Sequence, residues 1–196
     1  MEINSARFLR RLGALLSALV LMMAASAPPV AAQSKAGEDV PFVRTPPAVV
    51  DAMLKLAEVK GSDFVIDLGC GDGRIVVAAA EKFKARGRGV DFNPQRIAEA
   101  KANTREAGVS DRVEFVQGDF FAADIHDATV VTLYLLPIVN LRLRPRLLKE
   151  LKVGSRIVSH SFDMGDWEPD KTEEEAGRVV RLWIVTEKAK AAYGGE

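Results

Sequence analysis

One cysteine and two histidines are the whole supply of thiolate and imidazole metal ligands in this 196-residue chain. A lone Cys70 excludes an internal disulfide framework and a cysteine-rich metal centre. His126 and His160 lie far apart in the chain and do not suggest a histidine-built transition-metal site, so no metal is expected. Surplus charge is missing as well: 27 Lys and Arg face 27 Asp and Glu. That balance leaves no basic footprint for neutralising phosphates, and nucleic acid is not an expected partner. Internal repeats and low-complexity tracts are also lacking.

One long uncharged run is present, at the N-terminus. Arg7, Arg10 and Arg11 precede a stretch from Leu12 to Ala27 with no charged residue, and Val30-Ala31-Ala32 offers small residues for a cut. This pattern predicts a signal peptide over residues 1–32 cut after Ala32, with Ala25-Ser26-Ala27 as the alternative cut. The run is short for crossing a bilayer, which takes about 20 apolar residues. The second reading is an uncleaved anchor, with membrane association through residues 8–27. Both predict an exported domain, periplasmic or anchored facing the periplasm. Residues 33–44 read as a linker and residues 45–196 as one domain. The 164 residues after Ala32 carry 24 basic and 26 acidic side chains, and a chain of that size buries about 68–70% of its unfolded surface.

From Thr45 onward the apolar pattern alternates between two periods. Thr45 predicts a helix cap with Pro46 opening a helix to near Lys60. Phe64–Leu68 reads as a strand, followed by a glycine turn and a helix over Ile75–Phe83. Gly87–Phe92 is a second strand, and Asn93-Pro94 opens a helix to Ala107, stopped by Gly108. Strands are further predicted at Arg112–Val116, Ala128–Leu136, Ser155–Phe162 and Val179–Thr186, with a short helix from Pro145 to Leu151. Such alternation forces right-handed crossovers and a mainly parallel sheet. The expected fold is α/β, Rossmann-like and doubly wound, with six to seven strands flanked by helices.

Ligands of such sheets bind beyond the carboxyl ends of the strands. Three of those ends carry acids: Asp67-Leu68-Gly69-Cys70-Gly71-Asp72-Gly73, Val90-Asp91 and Gly118-Asp119. A dinucleotide fingerprint needs a third small residue where this chain has Arg74. Asp67 and Asp72 would also repel a pyrophosphate. S-adenosylmethionine, cationic and free of phosphate, suits the acids. Gly69, Gly71 and Gly73 allow close backbone approach, Cys70 lies between them in the same cofactor-binding turn, and Asp67 is expected near the ammonium. Asp91, 18 residues after Gly73, is placed for the ribose hydroxyls, with Phe92 beside it. Asp119 is placed for the adenine amine, and Phe120 or Phe121 for its ring.

These residues resemble the seven-β-strand (class I) S-adenosylmethionine-dependent methyltransferases, whose first motif is acidic-x-Gly-x-Gly-x-Gly. Phe42-Val43-Arg44-Thr45-Pro46 and Gly71-Asp72-Gly73-Arg74-Ile75-Val76 further resemble the protein-lysine methyltransferases of mitochondrial carriers and of the ATP synthase c-subunit. The resemblance implies that Thr45 and Pro46 border the methionyl end of the cofactor and that Leu135-Leu136-Pro137 borders the methyl acceptor, a protein lysine side chain. Where amino-methylating relatives have Asn-Pro-Pro-Tyr, this chain has Tyr134-Leu135-Leu136-Pro137. In-line displacement mainly requires a held nucleophile, and Tyr134, His160 and Asp163 are the polar candidates for contact with the acceptor. Cys70 reads as a small filler, Asp72 as a helix cap, Glu173-Glu174-Glu175 as a solvated run, and Arg142, Arg144 and Arg146 as a solvent face. Trp167 fits either a loop anchor over the pocket or the core. The alternatives are a small-molecule or lipid methyltransferase, a non-catalytic binder of the same cofactor, and an NAD-dependent oxidoreductase.

Overall fold

The computed structural model describes residues 41–195; the expected signal peptide or anchor, and most of the expected linker, lie outside them. Helix α1 (Pro47–Leu56) leads into strand β1 (Phe64–Leu68), helix α2 (Arg74–Phe83), strand β2 (Arg86–Asp91) and helix α3 (Pro94–Glu106). Strands β3 (Val113–Gln117) and β4 (Val130–Leu133), helix α4 (Pro137–Glu150), strands β5 (Arg156–His160), β6 (Lys171–Glu175) and β7 (Arg178–Ile184), and helix α5 (Glu187–Tyr193) complete the order.

The seven strands form one sheet in the order β3-β2-β1-β4-β5-β7-β6. Strands β1 to β5 are parallel, while β7 runs antiparallel to both β5 and β6. This is the expected doubly wound α/β fold. The chain reverses direction across the sheet at β1 and β4, where open α/β sheets place their ligand crevice. Both faces are covered. Val65, Val130, Val158 and Val180 pack with α1 and α2 residues on one side, while Ile66, Val131, Ile157 and Trp183 join α4 on the other. Central strands buried on two faces explain why β4 is apolar except for Thr132.

Three elements differ from the sequence expectation. Thr45 does not cap α1; Pro46 occupies the cap position without a side-chain bond, because the Thr45 hydroxyl is taken by His160. Helix α4 begins at Pro137, and Pro145, expected to open it, lies in its interior. An interior proline costs about 3 kcal/mol, which the burial of Val139, Leu143, Leu147 and Leu148 along one stripe offsets. The acidic segment expected as solvated is strand β6, with all five residues exposed. Ala176 (φ 50°) and Gly177 (φ 69°) supply the left-handed turn of the β6–β7 hairpin.

Trp167 belongs to the core, 6.1 Å from Trp183 between ring centroids; its carbonyl accepts a bond from the Trp183 indole N–H at 2.7 Å. Arg144 is buried, not on a solvent face, and donates to the Met164 carbonyl at 2.9 Å.

Candidate functional site

A cavity of about 590 Å³ opens at the carboxyl ends of β1, β2 and β4. Its floor is the turn between β1 and α2. Gly69, Gly71 and Gly73 all take left-handed φ values of 78°, 53° and 77°, which L side chains adopt only with strain. The turn is anchored from β2: the Gly69 and Cys70 amides both donate to the Val90 carbonyl at 2.9 and 3.0 Å. Asp91 Oδ2 accepts from the Gly71 amide at 2.8 Å, and Asp91 Oδ1 from the Asn93 amide at 2.9 Å. Asp91 therefore joins the floor to the start of α3, where Asn93 caps the Gln95 amide.

The acids differ in state. Asp67 is buried beneath the turn and accepts from the Thr132 hydroxyl at 2.7 Å. Burial, aided by the neighbouring charges of Asp91 and Asp72 and opposed by the Thr132 bond, pushes its pKa up to about 7. Burial works to raise Asp72 too, but Arg74, bonded to both of its oxygens, and Arg44 at 3.5 Å hold it below the ordinary carboxylate range. Asp72 is thus a partner of arginines and not the expected cap; α2 starts from Gly73 with no side-chain cap. The first turn of α2 contributes Arg74 and Ile75 to the cavity, and with no side-chain cap its first backbone N–H groups are left for an anionic partner. Burial, with Asp67 and Asp91 nearby, drives the Cys70 thiol well above its ordinary range. It is no thiolate nucleophile, in line with a filler role.

Pro41–Arg44, the described end of the expected linker, lines the cavity together with Thr45. The Phe42 ring lies against the turn, so a Cβ on Gly71 would fall 2.3 Å from it. The Arg96 guanidinium stands 4.4 Å from the centre of the same ring.

On the β3 side, Phe92 and Phe120 border the cavity as an edge-to-face pair 5.2 Å apart. The loop carrying Phe120 is held by Arg146 from α4, which donates to the carbonyls of Phe120, Phe121 and Ala123. Arg146, expected on a solvent face, is therefore a loop clamp. Arg146→Ala should lower stability by about 1.5–3 kcal/mol, the range for hydrogen bonds to a charged group. Urea unfolding tests this, and a change below about 0.5 kcal/mol, as for an ordinary surface substitution, would refute the clamp.

Of the residues singled out in the sequence, Thr45, Asp67, Gly69, Cys70, Gly71, Asp91, Phe92, Phe120 and Tyr134 line this one cavity. Gly73 packs behind the turn against Phe115 and Ala100. Asp119 does not line the cavity; its Oδ1 accepts from the Phe121 amide at 2.8 Å. His160 sits under the Tyr134 ring and outside the lining, while Asp163 is exposed and bonds the Gly165 amide at 3.2 Å. Thr132, Arg74 and Arg146 were not identified from sequence. Thr132 carried a usable signal, a hydroxyl inside an apolar central strand, whereas Arg146 carried none.

The donor set fits the expected cofactor: buried carboxyl groups for a cation, amides for a carboxylate, aromatic rings for a base, and left-handed glycines that leave no Cβ in the floor.

Comparison with known proteins agrees. A profile of the ANTKMT methyltransferase domain matches residues 67–171. A "Protein-lysine N-methyltransferase" from Saccharolobus islandicus is 47% identical over 76% of this chain and 95% of its own length. The mouse "Adenine nucleotide translocase lysine N-methyltransferase" is 34% identical over 74% of this chain, which spans 62% of that relative. A crystal structure from Salinibacter ruber, described as an RNA methyltransferase with S-adenosyl-L-homocysteine, is 54% identical, covers 74% of this chain and 95% of its own, and superposes with a TM-score of 0.73.

Proposed function

The chain belongs to the ANTKMT methyltransferase family, and from that premise we propose that it methylates the ε-amine of lysine in a protein, using S-adenosylmethionine. When bound, that cofactor supplies a methyl group on a sulfonium, already activated for displacement. Asp67 and the first turn of α2 would hold its amino-acid end, Asp91 its ribose, and Phe92 and Phe120 its base. The acceptor side is the carboxyl end of β4 and β5, where Tyr134 stacks on His160 with ring centroids 3.8 Å apart and lies 6.1 Å from Phe162. This chain's task is to desolvate a lysine there and hold its nitrogen in line.

The observation that carries lysine over RNA is the relationship to the Saccharolobus islandicus protein-lysine N-methyltransferase, 47% identical over 76% of this chain. The balance of 27 basic against 27 acidic residues supports it, since it leaves no basic footprint for a phosphate backbone. Beyond the last residue of β5 the sheet carries Glu174 and Glu175 on β6, with Arg178 of β7 opposite Glu175, so that end is mixed in charge and offers no cationic track for RNA. To test this, the purified protein is incubated with methyl-labelled S-adenosylmethionine and cell-envelope extract. Label should appear on lysine in protease-sensitive material. Label released by ribonuclease would replace lysine with RNA, and binding of S-adenosylhomocysteine without any transfer would leave a non-catalytic binder.

Asp67 adds a pH dependence. Its folded pKa of about 7 exceeds the ordinary 3.8, so the folded state binds more protons than the unfolded one between those values. Its contribution to stability is full below the lower value and is lost as pH rises through the upper one. A ligand ammonium favours the carboxylate instead. Binding of S-adenosylhomocysteine near pH 6 should therefore release a proton, and near pH 8 it should not. Calorimetry in buffers of different ionisation enthalpy measures this, and equal proton release at both pH values would refute it.

We further propose that residues 1–32 direct the domain out of the cytoplasm, on the strength of the Arg7–Arg11 charge and the uncharged run after it. A C-terminal reporter that is active only outside the cytoplasm tests the location. N-terminal sequencing tests the cut after Ala32.

A further inference from the structure

Thr45 and Tyr134 both line the cavity, and one buried residue outside the lining touches them both. His160, the last residue of β5 and only 1% exposed, places Nδ1 3.1 Å from the Thr45 hydroxyl. Its ring stacks on Tyr134 with 28° between the planes. Its Nε2 has no hydrogen-bond partner among the described residues. A buried ring nitrogen left unpaired is destabilising, so an apolar ring would be the more stable occupant if packing were all the position required. Burial, and after it the charge of Arg178, lowers the imidazole pKa to about 4. A base that weak is poorly matched to a lysine ammonium, and its free nitrogen is closed to solvent. His160 is therefore not the group that takes the acceptor's proton.

What it does hold is visible on each side. Thr45 ends the strap Pro41–Thr45, which is fastened over the glycine turn. Arg74 Nη1 donates to the Thr45 carbonyl at 2.8 Å, Arg44 pairs with Asp72, and Phe42 covers Gly71. Tyr134 begins the segment that leads from β4 into α4, where the acceptor is expected.

We infer that His160 is a positioning residue that couples the strap over the methyl donor to the aromatic ring beside the methyl acceptor. The inference rests on the lysine-methyltransferase reading above for what lies next to Tyr134. The Thr45 bond sets the height of the strap, and the stack sets the tilt of Tyr134, so seating the donor and aligning the acceptor share one rigid element at the end of β5.

A double-mutant cycle read by calorimetry with S-adenosylhomocysteine tests the Thr45 arm. Thr45→Val and His160→Phe should each weaken binding about three- to ten-fold, and the double variant should bind no worse than the weaker single, because both remove one interaction. His160→Asn, which returns a polar group near the Nδ1 position without the ring, should recover affinity to within about twofold. It should still lose most turnover of labelled S-adenosylmethionine with poly-L-lysine as acceptor, through a lower kcat. Unchanged affinity in both single variants would overturn the inference. So would losses that multiply in the double variant, or an Asn variant that melts early and binds no better than the Phe variant. If the unaltered enzyme leaves poly-L-lysine unmethylated, turnover is read on the envelope protein labelled in the test above; if no lysine is labelled there either, the lysine reading fails and the binding cycle alone decides the coupling.

Discussion

Asp91→Ala should cost the enzyme about 1.5–3 kcal/mol of cofactor binding, roughly a ten- to hundred-fold rise in Kd. Two losses combine in that figure. The carboxylate proposed for the ribose hydroxyls disappears, and so do the bonds that hold the Gly71 amide at 2.8 Å and the Asn93 amide at 2.9 Å. The first is a direct contact; the second lets the floor of the cavity drift from β2. Asp91→Asn separates them, since an amide oxygen can still accept from one backbone N–H. It should recover part of the affinity but not all. Calorimetry with S-adenosylhomocysteine reads both variants, and affinity unchanged in the Ala variant would remove Asp91 from the ribose site.

Gly73→Val should be the most destabilising single change in the turn, by about 3 kcal/mol or more. Gly73 sits at φ 77°, and a Cβ there would lie 2.5 Å from the Phe115 ring and 2.8 Å from the Ala100 Cβ. Overpacking and left-handed strain act together, and relief would require α3 and β3 to move away from the turn. Equilibrium denaturation should show a lower midpoint. Gly108→Ala, also at positive φ but with nothing within 4 Å of its Cβ position, isolates the strain from the crowding and should cost about 1–2 kcal/mol. Equal losses at the two positions would show that crowding at Gly73 is unimportant.

How much of this was legible beforehand follows the range of the interactions. The β1–turn–α2 unit could be read because its determinants are local: a β-branched run, glycines at positive φ and a helix start lie within a dozen residues. Asn93-Pro94 was equally readable as a cap followed by a first-turn proline. Helix α4 was misplaced because Pro145 is a local breaker overruled by a buried stripe that only the finished sheet supplies. Strand β6 was missed because Glu173-Glu174-Glu175 has almost no intrinsic strand preference; pairing with β7 alone makes it extended. Within the site, Asp67, Asp91 and the glycines announced themselves. The Thr45–His160 bond spans 115 positions of sequence separation and has no local trace. Asp119, expected at the cavity from its place at a strand end, is absent from the lining and has one carboxylate oxygen engaged in a short Asx turn to the Phe121 amide.

The two sides of the sheet differ in how they meet a neighbouring molecule. A chain with no net charge has little long-range repulsion to keep its copies apart, and an open lateral strand is the usual place for neighbours to zip together into aggregates. The lateral strands here are β3 and β6. The second reads Lys-Thr-Glu-Glu-Glu and is exposed throughout, so added strands would have to bury carboxylates there, whereas β3, Val-Glu-Phe-Val-Gln with Val116 exposed, carries one charge. Colloidal protection in this enzyme is thus lopsided, strong along one margin and thin along the other.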